Sequence, residues 1–328
     1  MTCIALATCS KHPHWVPDET PLLEGLQSLG IEPVSLIWDG GFPAPLDPIE
    51  ACVIRTTWDY SERHSDFLVW ANTINQNIPL WNSPRILAWN ADKHYLQWFE
   101  TQQLPVVPSF FIQPEELKQP SPVLEQLTLF CQQSAQWVLK PTVSASGNNT
   151  FVFNNFDLLY QTLQEYLGQN RTHNIAMMIQ PFLPSIQTHG EISVIMIEGR
   201  FAHAVIKTPS TDEFRIQEHL GGQTRFISLS AEFISMSEAL LSRTAAFLGE
   251  VPLYGRLDFM AKTELSKQTK QNSPSNNLKN NPSDWLLSEM ELIEPSLYLS
   301  HHPETGKILA KAIQQRLKTK SPTKQPVA

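Results

Sequence analysis

Lys140 closes a short apolar run, Trp137–Lys140, and is followed at once by the turn-like stretch PTVSASGNNT. Ser, Ala and Gly crowded into a turn let successive peptide N–H groups converge on an anion, with hydroxyls as extra donors and the lysine as a fixed charge. Ser144, Ser146 and Gly147 are the loop positions that this chemistry would use. An ordinary polar turn has the same composition, so the loop alone does not decide. A second stretch, Met178–Leu183, leaves a strand through Pro181. Such an exit exposes backbone groups to a flat heterocycle while Phe182 or Leu183 covers it; a core strand leaving its sheet reads the same way.

The acids are more telling. Glu289 and Glu291 stand two apart in the apolar run WLLSEMELIE, so on a strand both carboxylates face one side. Asp258 interrupts a second apolar run, YGRLDFM. Carboxylates on inward strand faces are costly unless compensated, and a shared hard cation such as Mg²⁺ compensates them while bridging to phosphate. A face turned to water, or pairing with arginines such as Arg256, is the competing explanation. Between these motifs lies Lys207–Gly222, KTPSTDEFRIQEHLGG, in which a lysine, Arg215 and paired glycines form either a cover over phosphate or a solvated loop. The planar fork of Arg215 suits a transferring phosphoryl group.

The elements that must position these residues follow from periodicity. Cys3–Thr8, Pro33–Trp38 and Ala51–Arg55 read as buried strands. Between them run helical patterns, the first capped by Asp18 and stopped by Gly30, the next capped by Ser61. Strands alternating with helices predict a parallel sheet covered on both faces, with ligands at the carboxyl ends of the strands, here Ser10–Pro17 and Thr56–Tyr60. Downstream, Asn90–Gln102 reads as one helix with Lys93 in its first turns. Glu191–Glu198 and Arg200–Lys207 form a hairpin, Ser230–Leu248 a long helix, and Tyr254–Met260 and Trp285–Ile293 two strands. The segment 262–284 reads as a mobile hairpin loop.

A chain of 328 residues suits two units at ~150 residues each. Hydrophobic residues at 41% supply a core, and a net charge of −8 argues against nucleic acid as partner. No apolar stretch approaches the ~20 residues of a membrane span, and Met1–Cys9 lacks the basic start of a secretory leader. The four cysteines are scattered without a C-x-x-C pair, so reduced thiols in a cytoplasmic protein are expected.

In order, Lys93, Lys140, the SASG loop, the QPFL turn, Glu191, the K…FR…HLGG segment, Asp258 and the E-x-E pair resemble the ATP-grasp superfamily, in its glutathione-synthetase-like branch. RTTWDY, WNSPRILAWNADKHYL, LKPTVSASG, IQPFLPSI, GEISVIMIEGRFAHAVIK and MELIEPSLYL resemble, within it, the group of D-cycloserine-forming O-ureido-D-serine cyclo-ligases. The likeness runs from about residue 3 to 300.

The resemblance implies an α/β (α+β) fold: an N-terminal parallel-sheet domain over 1–88 and a two-part ATP clamp over 89–184 and 185–318, with 319–328 a disordered tail. It implies Lys93, Lys140 and Lys207 on ATP phosphates, the Ser144–Gly147 loop over them, Gln180, Phe182 and Leu183 along the adenine, and Glu191 at the ribose. Asp258, Glu289 and Glu291 would hold Mg²⁺ (or Mn²⁺), and Arg215 would stabilise the acyl phosphate. The loop departs from the SAGA expected in the cyclo-ligase group, since Ser146 and Gly147 stand in its last two places.

For the substrate, Arg55 can clamp a carboxylate and Asp59 an amino group, with Trp58 and Tyr60 beside them; the two aromatics equally suit a packed domain junction. The expected function is an ATP- and Mg²⁺-dependent carboxylate–amine ligase acting on a small amino-acid-like molecule, possibly cyclising it, in a chain that a homo-oligomer would also accommodate. The alternatives are an amino-acid ligase modifying a peptide or protein, and a non-catalytic nucleotide-binding protein.

Overall fold

The computed structural model describes residues 2–41, 46, 48–116, 120–145, 147, 149–169, 175–210, 221–262 and 281–319. In β1 (Thr2–Thr8), Ile4 and Leu6 are buried on one side and Ala5 and Ala7 on the other. Burial on both faces marks a central strand of a parallel sheet. β1 lies between β2 (Ile31–Ile37) and β3 (Ile49–Thr56), with β4 (Leu80–Trp81) beyond β3, all parallel. One face packs on α2 (His64–Asn77) through Phe67, Trp70 and Ile74. The other receives Leu22 and Leu26 of α1 (Thr20–Ser28) and Leu309 and Ile313 of α9 (Glu304–Thr319), the last described helix.

Helices α1 and α9 meet through glycine. A Cβ on Gly306 would lie 2.5 Å from the Pro21 carbonyl carbon and 2.7 Å from the Leu22 nitrogen, both backbone atoms with nowhere to go. Gly306→Ala must therefore separate the helices; a loss of about 2–3 kcal/mol is expected, seen as a lowered thermal midpoint.

Two antiparallel sheets follow. The smaller has the order β5 (Phe110–Ile112), β8 (Met177–Pro181), β6 (Trp137–Pro141), β7 (Phe151–Phe153). Its own core, with Leu139, Ile179 and Phe153, packs against α5 (Pro120–Cys131) and α6 (Phe156–Gln169) through Leu127, Leu159 and Leu163. The larger runs β11 (Gln223–Ile227), β10 (Arg200–Thr208), β9 (Glu191–Ile197), β12 (Tyr254–Ala261), β13 (Trp285–Glu291). Its rear face, Ile192, Val194, Leu257 and Phe259, packs on Phe233, Leu240 and Leu241 of α8 (Ala231–Leu248). Ser230 caps α8 by accepting the Phe233 N–H at 3.2 Å, and Gly249 ends it at φ 73°. The short helix α7 (Ser185–His189) joins β8 to β9.

Several expectations are corrected. The helix predicted over Asn90–Gln102 is a turn between α3 (Pro84–Asn90) and α4 (Tyr95–Thr101). Asp92 accepts the His94 N–H and engages its ring, while the Lys93 N–H donates to Thr142 O at 2.9 Å, so Lys93 sits in a turn that touches β6's exit. Asp18 does not cap α1: the chain enters by a 3₁₀ turn at Pro17–Glu19, and Asp18 accepts from the Ser300 N–H and hydroxyl. Ser61 likewise lies inside a 3₁₀ turn, Tyr60–Arg63, and α2 starts at His64. Most of the expected loop 262–284, and the tail from 320, lie outside the described residues.

His203 on β10 is 1% exposed, hydrogen-bonded to Thr305 Oγ1 at 2.8 Å and stacked on His302. Burial first, and then His302, bring its pKa down to about 3 from 6.5. The folded state refuses a proton that the unfolded chain takes up below pH 6.5. Stability is thus unaffected above 6.5 and falls by about 1.4 kcal/mol per pH unit below it, until the folded pKa is reached. His203→Gln should flatten that acid slope between pH 6 and 4 in denaturant titrations.

Candidate active site

The three sheets converge on a cavity of about 590 Å³. Its floor is the front face of the large sheet, where alternation sends Glu191 and Ser193 of β9, Arg256 and Asp258 of β12, and Glu289 and Glu291 of β13 to one side. Register sets these in rows: Asp258 lies between Ser193 and Glu289, and Arg256 is opposite Glu291. A shift in the β12–β13 pairing after Asp258 also brings Ser288 to the cavity, where its hydroxyl donates to Asp258 O at 3.0 Å.

The floor is a lattice of opposite charges. Lys207 pairs with Glu191 at 2.5 Å and Asp258 at 3.5 Å; Lys93 pairs with Glu289 at 3.1 Å. Arg256 grips Asp258 through Nε (3.0 Å) and Nη2 (2.9 Å) and also reaches Glu291. Burial opposes ionisation of Asp258, but Arg256 and Lys207 prevail and hold it down at about 2. Burial likewise opposes Lys207, which Asp258 and Glu191 keep protonated. The pairing with Arg256 that the sequence offered as an alternative to a metal is thus realised, and Arg256 joins the site as a residue not assigned to it from the sequence. The signal was present: Arg256 stands two before Asp258, on the same strand face.

The small sheet supplies the roof. Val138 and Lys140 alternate with the buried Trp137 and Leu139, so Lys140 projects into the cavity. Among the described residues no carboxylate forms an ion pair with Lys140, and burial pulls its pKa down against Glu289. Such an ammonium is an anion site. The adjoining loop is tied at its base by Lys93, whose Nζ donates to Ser144 O at 2.8 Å. Ser144 and Gly147 line the cavity, Gly147 at φ 71°, whereas Ser146 lies outside the described residues.

The cavity lining also has an apolar share, Val107, Val138, Phe182, Leu183, Ile186 and Met260. Gln180 also lines the cavity and donates to Ser109 Oγ at 2.9 Å. The Phe182 N–H is taken by Gln136 O, so among the exposed backbone groups expected there that one is committed.

The expected substrate side divides. Trp58 and Tyr60 line the cavity. Arg55 does not: it is fully buried, forked onto Glu19 at 2.7 and 2.9 Å, and donates to Pro295 O. Asp59 accepts from Trp38 Nε1 at 2.8 Å and from Arg63 at 3.2 Å, away from the cavity wall. Both face partners distant in sequence, which composition could not reveal. Arg215 lies outside the described residues. Glu294, a further wall residue, had no assignment from the sequence.

Among the described residues no three His, Cys, Asp or Glu side chains are gathered as a ready metal cluster, because Arg256, Lys93 and Lys207 stand among the carboxylates. The donors nevertheless suit a hard divalent cation. They are all oxygens, and Glu291 is pushed up to about 7 by burial, with Glu289 and Asp258 adding to it against Arg256. Positive charge is short at that corner.

Comparison with known proteins agrees with this geometry. Residues 119–247 match the model of the prokaryotic glutathione synthetase ATP-grasp domain, and residues 4–82 that of the N-terminal domain of D-cycloserine synthetase DcsG. Residues 119–247 thus resemble an ATP-grasp domain, and the chain as a whole is similar to ATP-grasp ligases. It is 25% identical to the cycloserine biosynthesis protein DcsG of Streptomyces lavendulae, over 92% of this chain and 94% of that one. The crystal structure of D-cycloserine synthetase DcsG superposes with a TM-score of 0.78 at 21% identity, covering 96% and 99% of the two chains. The D-alanine–D-alanine ligase of Bacillus anthracis shares the fold at a TM-score of 0.62 and 12% identity, over 98% and 100%. The match to the ATP-grasp domain model spans β6 to β11, in the two antiparallel sheets, and no described helix is long and apolar enough to cross a membrane.

Proposed function

We propose that this chain is an ATP- and Mg²⁺-dependent carboxylate–amine ligase that activates a small amino-acid-like substrate as its acyl phosphate, with ring closure within one molecule as the bond-forming step. The observation that carries the reading is the cavity itself: Lys140, which forms no ion pair with a carboxylate among the described residues, lines it together with Lys93, Lys207 and the acids of the large sheet. That arrangement recognises a polyphosphate and its cation.

In this reading the apolar share of the lining takes the adenine, Gln180 its polar edge, and Glu191 the ribose. Lys93 and Lys140 fix the phosphates, with the Ser144–Gly147 loop over them. Asp258, Glu289 and Glu291 are the residues that would hold Mg²⁺, which when bound neutralises charge on the phosphate oxygens. The γ-phosphoryl group passes to a substrate carboxylate oxygen as its bond to ADP breaks. Arg256 stabilises the charge that develops, a role that the resemblance also gives to Arg215. A nitrogen then attacks the acyl carbon, phosphate leaves, and the nitrogen gives up its proton. Chemistry of this kind asks for position and charge rather than a nucleophilic side chain.

The test is release of ADP and phosphate by the full chain with MgATP, against amino acids and their O-ureido and hydroxylamine derivatives, with products read by mass spectrometry. Turnover with a panel member supports the reading, and a cyclic product supports ring closure. MgATP binding without turnover of any member counts against it, and labelled glutamate appearing on a polypeptide from cell extract would favour a peptide-modifying ligase.

A further inference from the structure

One acid on the cavity wall forms none of the ion pairs of the charge lattice among the described residues, although Lys93 and Arg256 act on it from further off. Glu294 lies just beyond β13, in the segment LIEPS, and is 8% exposed. Its peptide oxygen accepts the Trp58 Nε1–H at 3.1 Å, which fixes this stretch against the N-terminal domain. Glu191, Asp258, Glu289 and Glu291 each have a lysine or arginine partner. Among the described residues no lysine, arginine or histidine forms an ion pair with Glu294. It shares the wall with Trp58 and with Tyr60, itself 5% exposed.

A buried carboxylate that faces a cavity with no ion-pair partner of its own is costly to keep even with Lys93 and Arg256 acting from a distance, and a ligand that brings positive charge into contact relieves the cost. An ammonium group is compact and carries three donors, and aromatic rings beside a carboxylate favour it further. The carboxylate to be activated must lie over Arg256 and the acids of β13, and in an α-amino acid the ammonium sits two bonds from it. Glu294 lies three residues beyond Glu291 and feels its charge. Asp59, the acid the sequence offered for this task, is turned to Trp38 and Arg63 instead.

We propose that Glu294, flanked by Trp58 and Tyr60, receives the α-ammonium group of the substrate and makes the site selective for amino acids over their desamino counterparts. The assignment rests on the ligase reading for where the substrate carboxylate lies. Burial, and then Glu291, push the Glu294 carboxyl well above the usual range, against Lys93 and Arg256, so an ammonium in contact with it would have to draw the group back to its ionised form.

The experiment titrates the full chain, saturated with MgADP, with D- and L-alanine, D- and L-serine, the O-ureido and hydroxylamine derivatives of serine, and the desamino acid matching each. The best amino compound is expected to bind at least ~30-fold more tightly than its desamino counterpart. Glu294→Gln should erase that ratio while leaving the MgADP dissociation constant within about twofold, and Glu294→Asp should restore part of it. Equal binding of amino and desamino acids to the unmodified chain, or binding of none of the amino compounds, overturns the proposal. So does a Glu294→Gln variant that weakens both classes alike. The unmodified chain supplies the deciding ratio even if the variants fold poorly. Selective binding of an amine without ADP formation from MgATP would refute the ligase reading and leave Glu294's role standing. ADP formation driven equally by desamino acids would do the reverse.

Discussion

Glu289→Ala is expected to lower ADP formation by about 10³-fold or more while the chain stays folded. Glu289 faces Asp258 across the β12–β13 ladder, and Lys93 and Lys140 together hold it below the usual carboxylate range in spite of its burial. The substitution therefore acts twice. It takes away an oxygen donor from the corner where Mg²⁺ would bind, and it leaves Lys93, 5% exposed, without its carboxylate. Lys93 then turns its charge wholly to the Ser144–Gly147 loop, whose base it already holds. Calorimetry separates the two effects: nucleotide binding without Mg²⁺ should persist, and its strengthening by Mg²⁺ should be lost. A variant retaining more than a tenth of the turnover would remove Glu289 from the mechanism.

The second large effect is on stability. Asn82 follows β4, is 1% exposed, and bonds only to backbone: its amide donates to Tyr254 O at 3.0 Å and Leu292 O at 2.8 Å, and its carbonyl accepts the Leu253 N–H at 2.6 Å. Those groups flank the strands that carry Arg256, Asp258, Glu289 and Glu291. Asn82→Ala leaves three buried backbone groups unmet at about 1–3 kcal/mol each, with partial relaxation bringing the total to roughly 3–5 kcal/mol. That is a large share of the ~5–15 kcal/mol that holds a typical protein folded. A thermal midpoint lower by roughly 5–10 °C is expected, with activity falling as the two strand ends loosen. Asn82→Asp keeps the acceptor but turns a carboxylate oxygen on the two carbonyl oxygens in a buried site, so it should destabilise at least as much as the alanine variant.

What the sequence made legible was whatever local pattern alone could state. The strands β1, β9, β10, β12 and β13 are apolar runs whose interruptions are informative, and the acids of β12 and β13 do share one face. β11 was invisible because an edge strand with the pattern QTRFI carries little apolar signal. The break at Lys93 was hidden because Asp92 and His94 are ordinary helix residues until their mutual hydrogen bonds turn the chain. Arg55 and Asp59 misled for a different reason. A charged residue at a strand end announces a ligand only if no internal partner reaches it, and Glu19 and Trp38 are neighbours only after folding. Glu294 was overlooked for the same reason, since its significance lies in the ion pairs that it lacks among the described residues.

The contact of α1 with α9 has a consequence for how a nucleotide comes and goes. It brings the first helix of the chain against the last described one, and the same apolar cluster runs on through Ile195 and Ile197 into the large sheet. The parallel sheet and the large sheet are thereby welded into one side of a vice. The small sheet keeps a cluster of its own and meets the large one in fewer places: at Pro105–Val107, where Leu287 exchanges two backbone hydrogen bonds with the incoming chain, at Met178, and through α7, whose Ser185 donates to Ala261 O. An opening of the cavity that left the apolar clusters intact would therefore have to move the small sheet against the other two together.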